Sequence, residues 1–305
     1  MKKVLILGAK GNLGGQLVKE FNNKSEYEVF SYDSEDLNLL ESDLIIPKVL
    51  EIKPNIIINA TGYNAVDKCE ENEEEFQLAY KINVKAIKYL AQVAILSEAI
   101  FVNYSSDYVF GGDICDDSKG DEKNFLKIKE QGGFLENNNR CPINKYGLSK
   151  MLGENEILEL KDKNLKYYII RTSKLFGPNS SPVSKENFFD LMLKIAVGKK
   201  EINVVSEELS CFTYTPDLAK ATKDLIEGNY DYGIYHIRNN EPSIWYDAAI
   251  ELFKLKQISI KINPVLSANF PRPAKRPKYS VLANTKFPPL RSWKEALEEY
   301  ITKYK

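Results

Sequence analysis

The chain has little of what several catalytic and structural classes need. Its 305 residues include a single histidine, His236, set in Gly-Ile-Tyr-His-Ile where it reads as a strand residue; this counts against a histidine-based triad and most zinc sites, so no metal is expected. Four cysteines, Cys69, Cys115, Cys141 and Cys211, are scattered without a CxxC pair or metal-ligand spacing. They read as free thiols suited to a reducing cytosol. Neither sign of charge dominates, with 42 Lys+Arg against 43 Asp+Glu, so nucleic acid and anionic membrane surfaces are not indicated partners. No apolar run approaches the roughly 20 residues of a membrane span. The short run at residues 4–7, behind Lys2 and Lys3, ends in glycine and does not read as a signal peptide. A soluble cytoplasmic protein of one large or two modest domains is expected.

The first half alternates short β-branched apolar runs with amphipathic stretches, the pattern of a parallel sheet with crossover helices. Strands are expected at residues 4–7, 28–32, 56–59, 99–104 and 167–171. Helices are expected at 14–22, 43–52, 74–97 and 146–160, with a turn over 60–64. This predicts an α/β fold: a Rossmann-type doubly wound parallel sheet with a smaller α+β C-terminal substrate-binding domain. Residues 1–175 plus about 214–238 would form the cofactor domain, and 176–213 with 239–305 the substrate domain. Two segments break the rhythm. Residues 111–141 are rich in Gly, Asp, Asn and Lys, as expected of a long flap. Beyond Gly177, prolines gather at 264, 271, 273, 277, 288 and 289, and 292–304 reads as a closing helix.

Gly8-Ala9-Lys10-Gly11-Asn12-Leu13-Gly14 sets G-x-x-G-x-x-G between the first strand and the first helix. Gly8 permits the tight turn, Gly11 lets backbone approach a diphosphate, and Gly14 lets helix and strand pack closely. Asp33 follows the second strand where an acid can bind the adenosine ribose. Lys10 could instead meet a 2'-phosphate, which leaves NADPH and NADH both open. Further on, Tyr104-Ser105-Ser106-Asp107-Tyr108 places hydroxyls at the carboxyl end of a buried strand, the edge at which open α/β sheets bind ligands. Tyr146 and Lys150 lie four apart and so share a helix face. A carbonyl reductase needs a hydride donor, an acid for the forming alkoxide and a donor to hold that oxygen. The glycine loop, Tyr146 with Lys150, and Ser106 supply those parts in order. An ammonium beside a phenol is expected to lower its pKa.

With those residues in place, the chain resembles the extended short-chain dehydrogenases/reductases, and within them the dTDP-4-dehydrorhamnose reductase family. The likeness runs through Lys53-Pro54-Asn55-Ile56-Ile57-Ile58-Asn59-Ala60, Ala65-Val66-Asp67-Lys68-Cys69-Glu70, Asn83, Ser106 to Phe110, Tyr146 to Lys150 and Arg171-Thr172-Ser173. It continues through Gly233 to His236, Trp245-Tyr246 and Arg276 to Leu282. The resemblance implies that Ser106 holds the substrate oxygen, Tyr146 protonates it, and Lys150 binds the nicotinamide ribose and lowers the Tyr146 pKa. It implies that Ala60, Thr61, Gly62 and Tyr63 line the cofactor while Asn83 organises the local backbone or a water. Asn64, Val66 and Tyr108 would face the sugar of a nucleotide-sugar substrate, although Val66 and Tyr108 read equally well as packing residues. The implied activity is reduction of a nucleotide-linked 4-keto-6-deoxysugar for surface polysaccharide synthesis, and a homodimer is compatible with it.

Three features depart from the family, one being the 111–141 excursion, which is longer than usual. Lys174 stands where a tryptophan usually packs on the sugar, and is taken as a substrate-side residue. The stretch Glu207 to Thr213 lacks the family's glycine and proline. Other readings compete. Tyr108 replaces the glutamate of the 4,6-dehydratases and the cysteine of the GDP-fucose-synthase-like epimerase-reductases, which disfavours both. A catalytically silent cofactor-binding regulatory subunit is the alternative from another class.

Overall fold

The structure, a computed structural model, describes residues 1–112, 122–182, 184–228 and 230–305. The chain opens with β1 (Lys2–Leu7), α1 (Asn12–Asn22), β2 (Tyr27–Tyr32), α2 (Ser42–Ile52) and β3 (Ile56–Asn59). It continues through α3 (Val66–Glu71), α4 (Glu73–Tyr80), a π-helical turn (Lys81–Lys85), α5 (Ala86–Leu96) and β4 (Ile100–Ser106). Then come α6 (Glu122–Glu130), α7 (Lys145–Leu158), β5 (Lys166–Thr172), β6 (Leu175–Phe176), α8 (Phe188–Ala196), β7 (Glu201–Val205) and β8 (Thr213–Tyr214). The chain ends with α9 (Thr215–Glu227), β9 (Gly233–His236), α10 (Trp245–Leu255), β10 (Lys261–Val265) and α11 (Trp293–Tyr304).

Six parallel strands form one sheet in the order β2-β1-β3-β4-β5-β9. The sheet is doubly wound, as the alternation of strands and helices predicts. Its strands are apolar on both faces because helices cover both. Val4 and Ile6 point to the side of α1 and α9, packing with Leu17, Phe21, Leu218 and Leu225. Leu5 and Leu7 point to the side of α2 and α5, packing with Ile45, Val49, Ile87 and Leu90. The order reverses between β1 and β3, so the loops leaving these two strands flank a crevice at the carboxyl edge, where doubly wound sheets take ligands.

A second apolar cluster gathers α8, α10 and α11 around the parallel pair β7–β10, with Trp293, Phe189, Phe212, Leu252 and Tyr300 at its centre. Its helix starts are fixed by side chains that satisfy free amides. Asn187 accepts from Phe189 and Asp190 on α8, and Ser292 with Glu295 forms a capping box on α11.

Three details differ from the sequence expectation. The stretch read as one helix over 74–97 is α4 and α5 joined by the π-helical turn, whose wider winding leaves the apolar periodicity almost unchanged. The six-residue α3 follows the expected turn and is too short to declare a period. Of the expected flap, residues 113–121 lie outside the described residues, while part of the remainder forms α6. Among the described residues, no helix is long and apolar enough to cross a membrane. None of them forms a group of three or more His, Cys, Asp or Glu side chains able to hold a metal.

Candidate functional site

The crevice begins at the turn after β1. Gly8 has φ +79°, a left-handed conformation that side chains disfavour. A methyl group on Gly14 would lie 1.9 Å from the Gly8 carbonyl oxygen, and one on Gly11 3.1 Å from the same atom. The loop is therefore a cradle closed to side chains and open to backbone approach. α1 starts at Asn12 with no side-chain cap and no acid in its first turn, so its N-terminal amides and dipole face the crevice unanswered. Asn12 Oδ1 is buried with no hydrogen-bond partner among the described residues. These features fit the diphosphate of a dinucleotide. Leu13 offers the loop only its backbone, since its side chain packs into the sheet core. Asp33 lies just beyond β2, its carboxylate accepting the amides of Lys10 at 2.9 Å and Ser34 at 2.8 Å. The Lys10 ammonium turns away to Glu35, 2.6 Å distant.

The opposite wall is the loop after β3. The Ala60 amide donates to Leu7, tying this loop to β1. The Thr61 hydroxyl donates to Asn59 Oδ1 at 2.5 Å, and Asn59 is held in turn by Asn103. Asn83 stands in the π-helical turn and clamps Tyr63 from both sides. Its Oδ1 accepts the Tyr63 amide at 2.9 Å, while Nδ2 donates to the Tyr63 carbonyl at 3.0 Å and to Ser149 at 2.9 Å. It shapes the wall through backbone contacts. The Tyr63 hydroxyl bonds Glu75. Gly62 and Asn64 are exposed at the rim, and Val66 opens α3 half-buried.

α7 brings Tyr146 and Lys150 to the far end of this line. Asn144 caps it by accepting the Gly147 amide and donates to the Lys275 carbonyl, which anchors the helix start against the C-terminal segment. Tyr146 and Lys150 then project from one face toward the end of β4. Lys150 Nζ donates to the Tyr104 carbonyl at 2.7 Å, and a methyl on Gly62 would lie 3.7 Å from that nitrogen. Ser106 Oγ accepts the Tyr108 amide and donates to Asp107, both at 3.1 Å. The rings of Tyr108 and Tyr146 meet edge to face at 5.8 Å.

The electrostatics differ from one expectation. Burial raises the Tyr146 phenol to about 12, with a hydrogen bond to Ser106 offsetting part of the rise. Burial lowers Lys150 to about 8, against the opposing pull of Glu154. The expected lowering of Tyr146 by Lys150 is not seen, because the ammonium is aimed at the Tyr104 carbonyl and desolvation dominates both groups. Asp107 is raised by burial despite hydrogen bonds from Ser280 and Ser173. The site thus holds a phenol that stays protonated at neutral pH, able to give a proton to an oxygen shared with Ser106 Oγ.

Lys174 is placed differently from a free ligand-binding cation. Its Nζ donates to the carbonyls of Glu208 at 3.0 Å and Ser243 at 3.2 Å, and lies 4.1 Å from the centre of the Trp245 ring. Burial brings it to about 8. Glu208 receives Trp245 Nε1 at 2.9 Å, Ser267 and Arg272. Lys174 therefore braces an indole supplied by α10, which spacing along the chain does not reveal.

Beneath the site lies a buried ionic network that sequence reasoning missed. Glu154 accepts Arg171 at 2.8 and 2.7 Å, Arg140 at 3.0 Å and Ser105 at 2.6 Å. Desolvation pushes Glu154 upward, but Arg171 and Arg140 prevail and hold it below the ordinary carboxylate range. Arg171 also donates to His236 Nε2 at 3.3 Å, which leaves the ring proton on Nδ1, facing the Ala283 carbonyl at 2.9 Å. Burial, then Arg171, lower His236 and keep it neutral.

Comparison with known proteins adds independent findings. The family model described as RmlD substrate binding domain matches residues 1–305. The dTDP-4-dehydrorhamnose reductase of Aggregatibacter actinomycetemcomitans is 33% identical over 297 residues, covering 94% of this chain and 92% of that protein. The spore coat polysaccharide biosynthesis protein SpsK of Bacillus subtilis (strain 168) is 32% identical over 305 residues, covering 99% and 97%. A solved dTDP-4-dehydrorhamnose reductase from Bacillus anthracis str. Ames, in complex with NADP, has a TM-score of 0.85 at 33% identity, covering 99% of this chain and 100% of that one.

Proposed function

Because this chain belongs to the RmlD substrate binding domain family, we propose that it is an NAD(P)H-dependent oxidoreductase acting on a nucleotide sugar. Its reaction is reduction of the keto group of a nucleotide-linked 4-keto-6-deoxysugar, as in dTDP-4-dehydrorhamnose reductases, for surface polysaccharide precursors in the cytoplasm. The observation that carries this reading is the convergence of Ser106, Tyr146 and Lys150 at the end of β4, in line with the glycine cradle.

The cofactor part comprises residues 1–175 with about 214–238, and the substrate part 176–213 with 239–305. Gly8, Lys10, Gly11, Asn12, Leu13 and Gly14 frame the diphosphate, with the amides at the start of α1 turned to it, and Asp33 meets the adenosine ribose. Ala60, Thr61, Gly62 and Tyr63 form the other wall, held by Asn83. A nicotinamide dinucleotide bound there supplies the hydride of the reduction. Ser106 Oγ turns its single hydrogen from Asp107 to the substrate carbonyl oxygen. Tyr146 Oη, kept protonated by burial, gives its proton to that oxygen as the carbonyl becomes an alcohol. Lys150 holds the nicotinamide ribose and places positive charge behind the phenolate that Tyr146 becomes. Asn64, Val66 and Tyr108 face the sugar, while Lys174 holds Trp245 in position beside it.

The test is oxidation of NADPH and NADH with a panel of nucleotide-linked 4-keto sugars. Turnover is expected with a dTDP-linked 4-keto-6-deoxysugar. Tyr146→Phe should lose about 10²- to 10⁴-fold in kcat while its cofactor affinity stays at the wild-type level. Tight cofactor binding with no turnover on any member of the panel would identify a silent cofactor-binding subunit instead.

A further inference from the structure

Between β6 and α8, Ser180, Ser181, Ser184 and Lys185 lie against the glycine cradle and the first turn of α1. Ser181 and Ser184 hydroxyls both donate to the Lys10 carbonyl at 2.8 Å, and the Ser180 hydroxyl donates to the Asn12 carbonyl at 3.3 Å. Gln16 donates to Ser180 at 3.2 Å, and a methyl on Gly15 would come within 2.1 Å of Ser180 Cβ. Asn12 Nδ2 closes the seam by donating to the Lys185 carbonyl at 2.9 Å. The backbone of Lys185 is thus fastened to the N-terminus of α1. Its side chain reaches the other wall, where Nζ donates to Asn64 Oδ1 at 2.6 Å. One lysine therefore spans the two loops that flank the crevice between β1 and β3.

The location bears on charge. A diphosphate brings negative charge into a cradle whose own lysine, Lys10, is already paired with Glu35. Lys150 is committed to Tyr104 at the nicotinamide end. The amides of α1 contribute only partial charge. Lys185 carries a full charge, an exposed side chain and a neutral partner, Asn64, that an anion can replace.

Resting on the reading of this crevice as a dinucleotide site, we propose that Lys185 is a cofactor-binding residue. Its ammonium leaves Asn64 Oδ1 for a diphosphate oxygen and clasps the dinucleotide against the α1 N-terminus. The fastened backbone reduces the ordering cost of that contact. A nucleotide sugar also carries a diphosphate, but the seam to Lys10 and Asn12 assigns Lys185 to the cofactor.

The test compares wild type with Lys185→Gln and Lys185→Arg, each first checked for an unchanged melting temperature. Direct titration with NADPH and with ADP is run at two ionic strengths, alongside the KM for the nucleotide sugar at saturating NADPH. Lys185→Gln should weaken NADPH and ADP by about tenfold, as expected for loss of a charge-assisted contact, and should flatten the salt dependence. Lys185→Arg should keep most of the affinity. Equal NADPH affinity in wild type and Lys185→Gln overturns the proposal, as does a loss confined to the nucleotide-sugar KM. Absence of NADPH binding by the wild type would instead overturn the dinucleotide reading itself.

Discussion

Replacing Glu154 with Gln tests how the buried network supports both fold and catalysis. Glu154 and Arg171 are 0% and 1% exposed, and the carboxylate answers both ends of the guanidinium. Glu154→Gln keeps the shape but leaves Arg171 charged without its counter-ion, and breaking a buried pair this way costs about 3–5 kcal/mol. Unfolding entropy near 2.1 cal/mol/K per residue makes each kcal/mol worth about 1.6 °C at this length, so a fall of about 5–8 °C in melting temperature is expected. Calorimetry measures it. The same change removes the charge that opposes desolvation at Lys150. The Lys150 pKa should then drop below about 8, and the alkaline limb of the pH–rate profile should move to lower pH. Glu154→Leu combined with Arg171→Met removes both charges and should recover most of the lost stability. A single variant within about 1 kcal/mol of wild type, with an unmoved alkaline limb, would refute the argument.

Two further outcomes follow from the geometry. His236 is held neutral in the fold, below the ordinary histidine pKa of 6.5, so the unfolded chain binds more protons as the solution acidifies. Its contribution is complete above that value and is lost as pH falls below it. Melting curves at successive pH values should show a shallower decline for His236→Gln than for wild type; equal declines would contradict the assignment. Gly14→Ala would drive a methyl into the Gly8 carbonyl and should cost at least about 1–3 kcal/mol in urea unfolding. It should also abolish NADPH binding, and retained binding with wild-type stability would contradict the packing account.

Much of this was legible because it is local. The glycine spacing, the alternation of strands with helices, and the four-residue step from Tyr146 to Lys150 all follow from backbone periodicity. What the periodicity concealed depends on partners far along the chain. Glu154 lies four residues beyond Lys150, in a charged stretch that resembles a solvated helix face. Only the packing of α7 against β5 reveals Arg171 opposite it. Asn83 was expected at the wall, but the π-helical turn that aims it is invisible to an apolar repeat. Lys174 had an unusual identity and no readable partner, since Trp245 and Glu208 come from other elements. Lys185 meets Asn64 across 121 residues, and no local pattern announces such a contact.

The interleaved path of the chain has a consequence for synthesis on the ribosome. β5 is complete at Thr172, yet its sheet neighbour β9 begins only at Gly233, after α8, β7, β8 and α9 have been made. Until then a nascent chain carries an open, apolar strand edge, together with the bare sheet face that Leu218 and Leu225 of α9 will cover. Such an edge invites pairing with other chains. Excision at residue 175 would make that vulnerable intermediate permanent. The six-stranded sheet is therefore a unit of architecture without being a contiguous gene segment, and a fragment that keeps it whole would have to carry α9 and β9 with it.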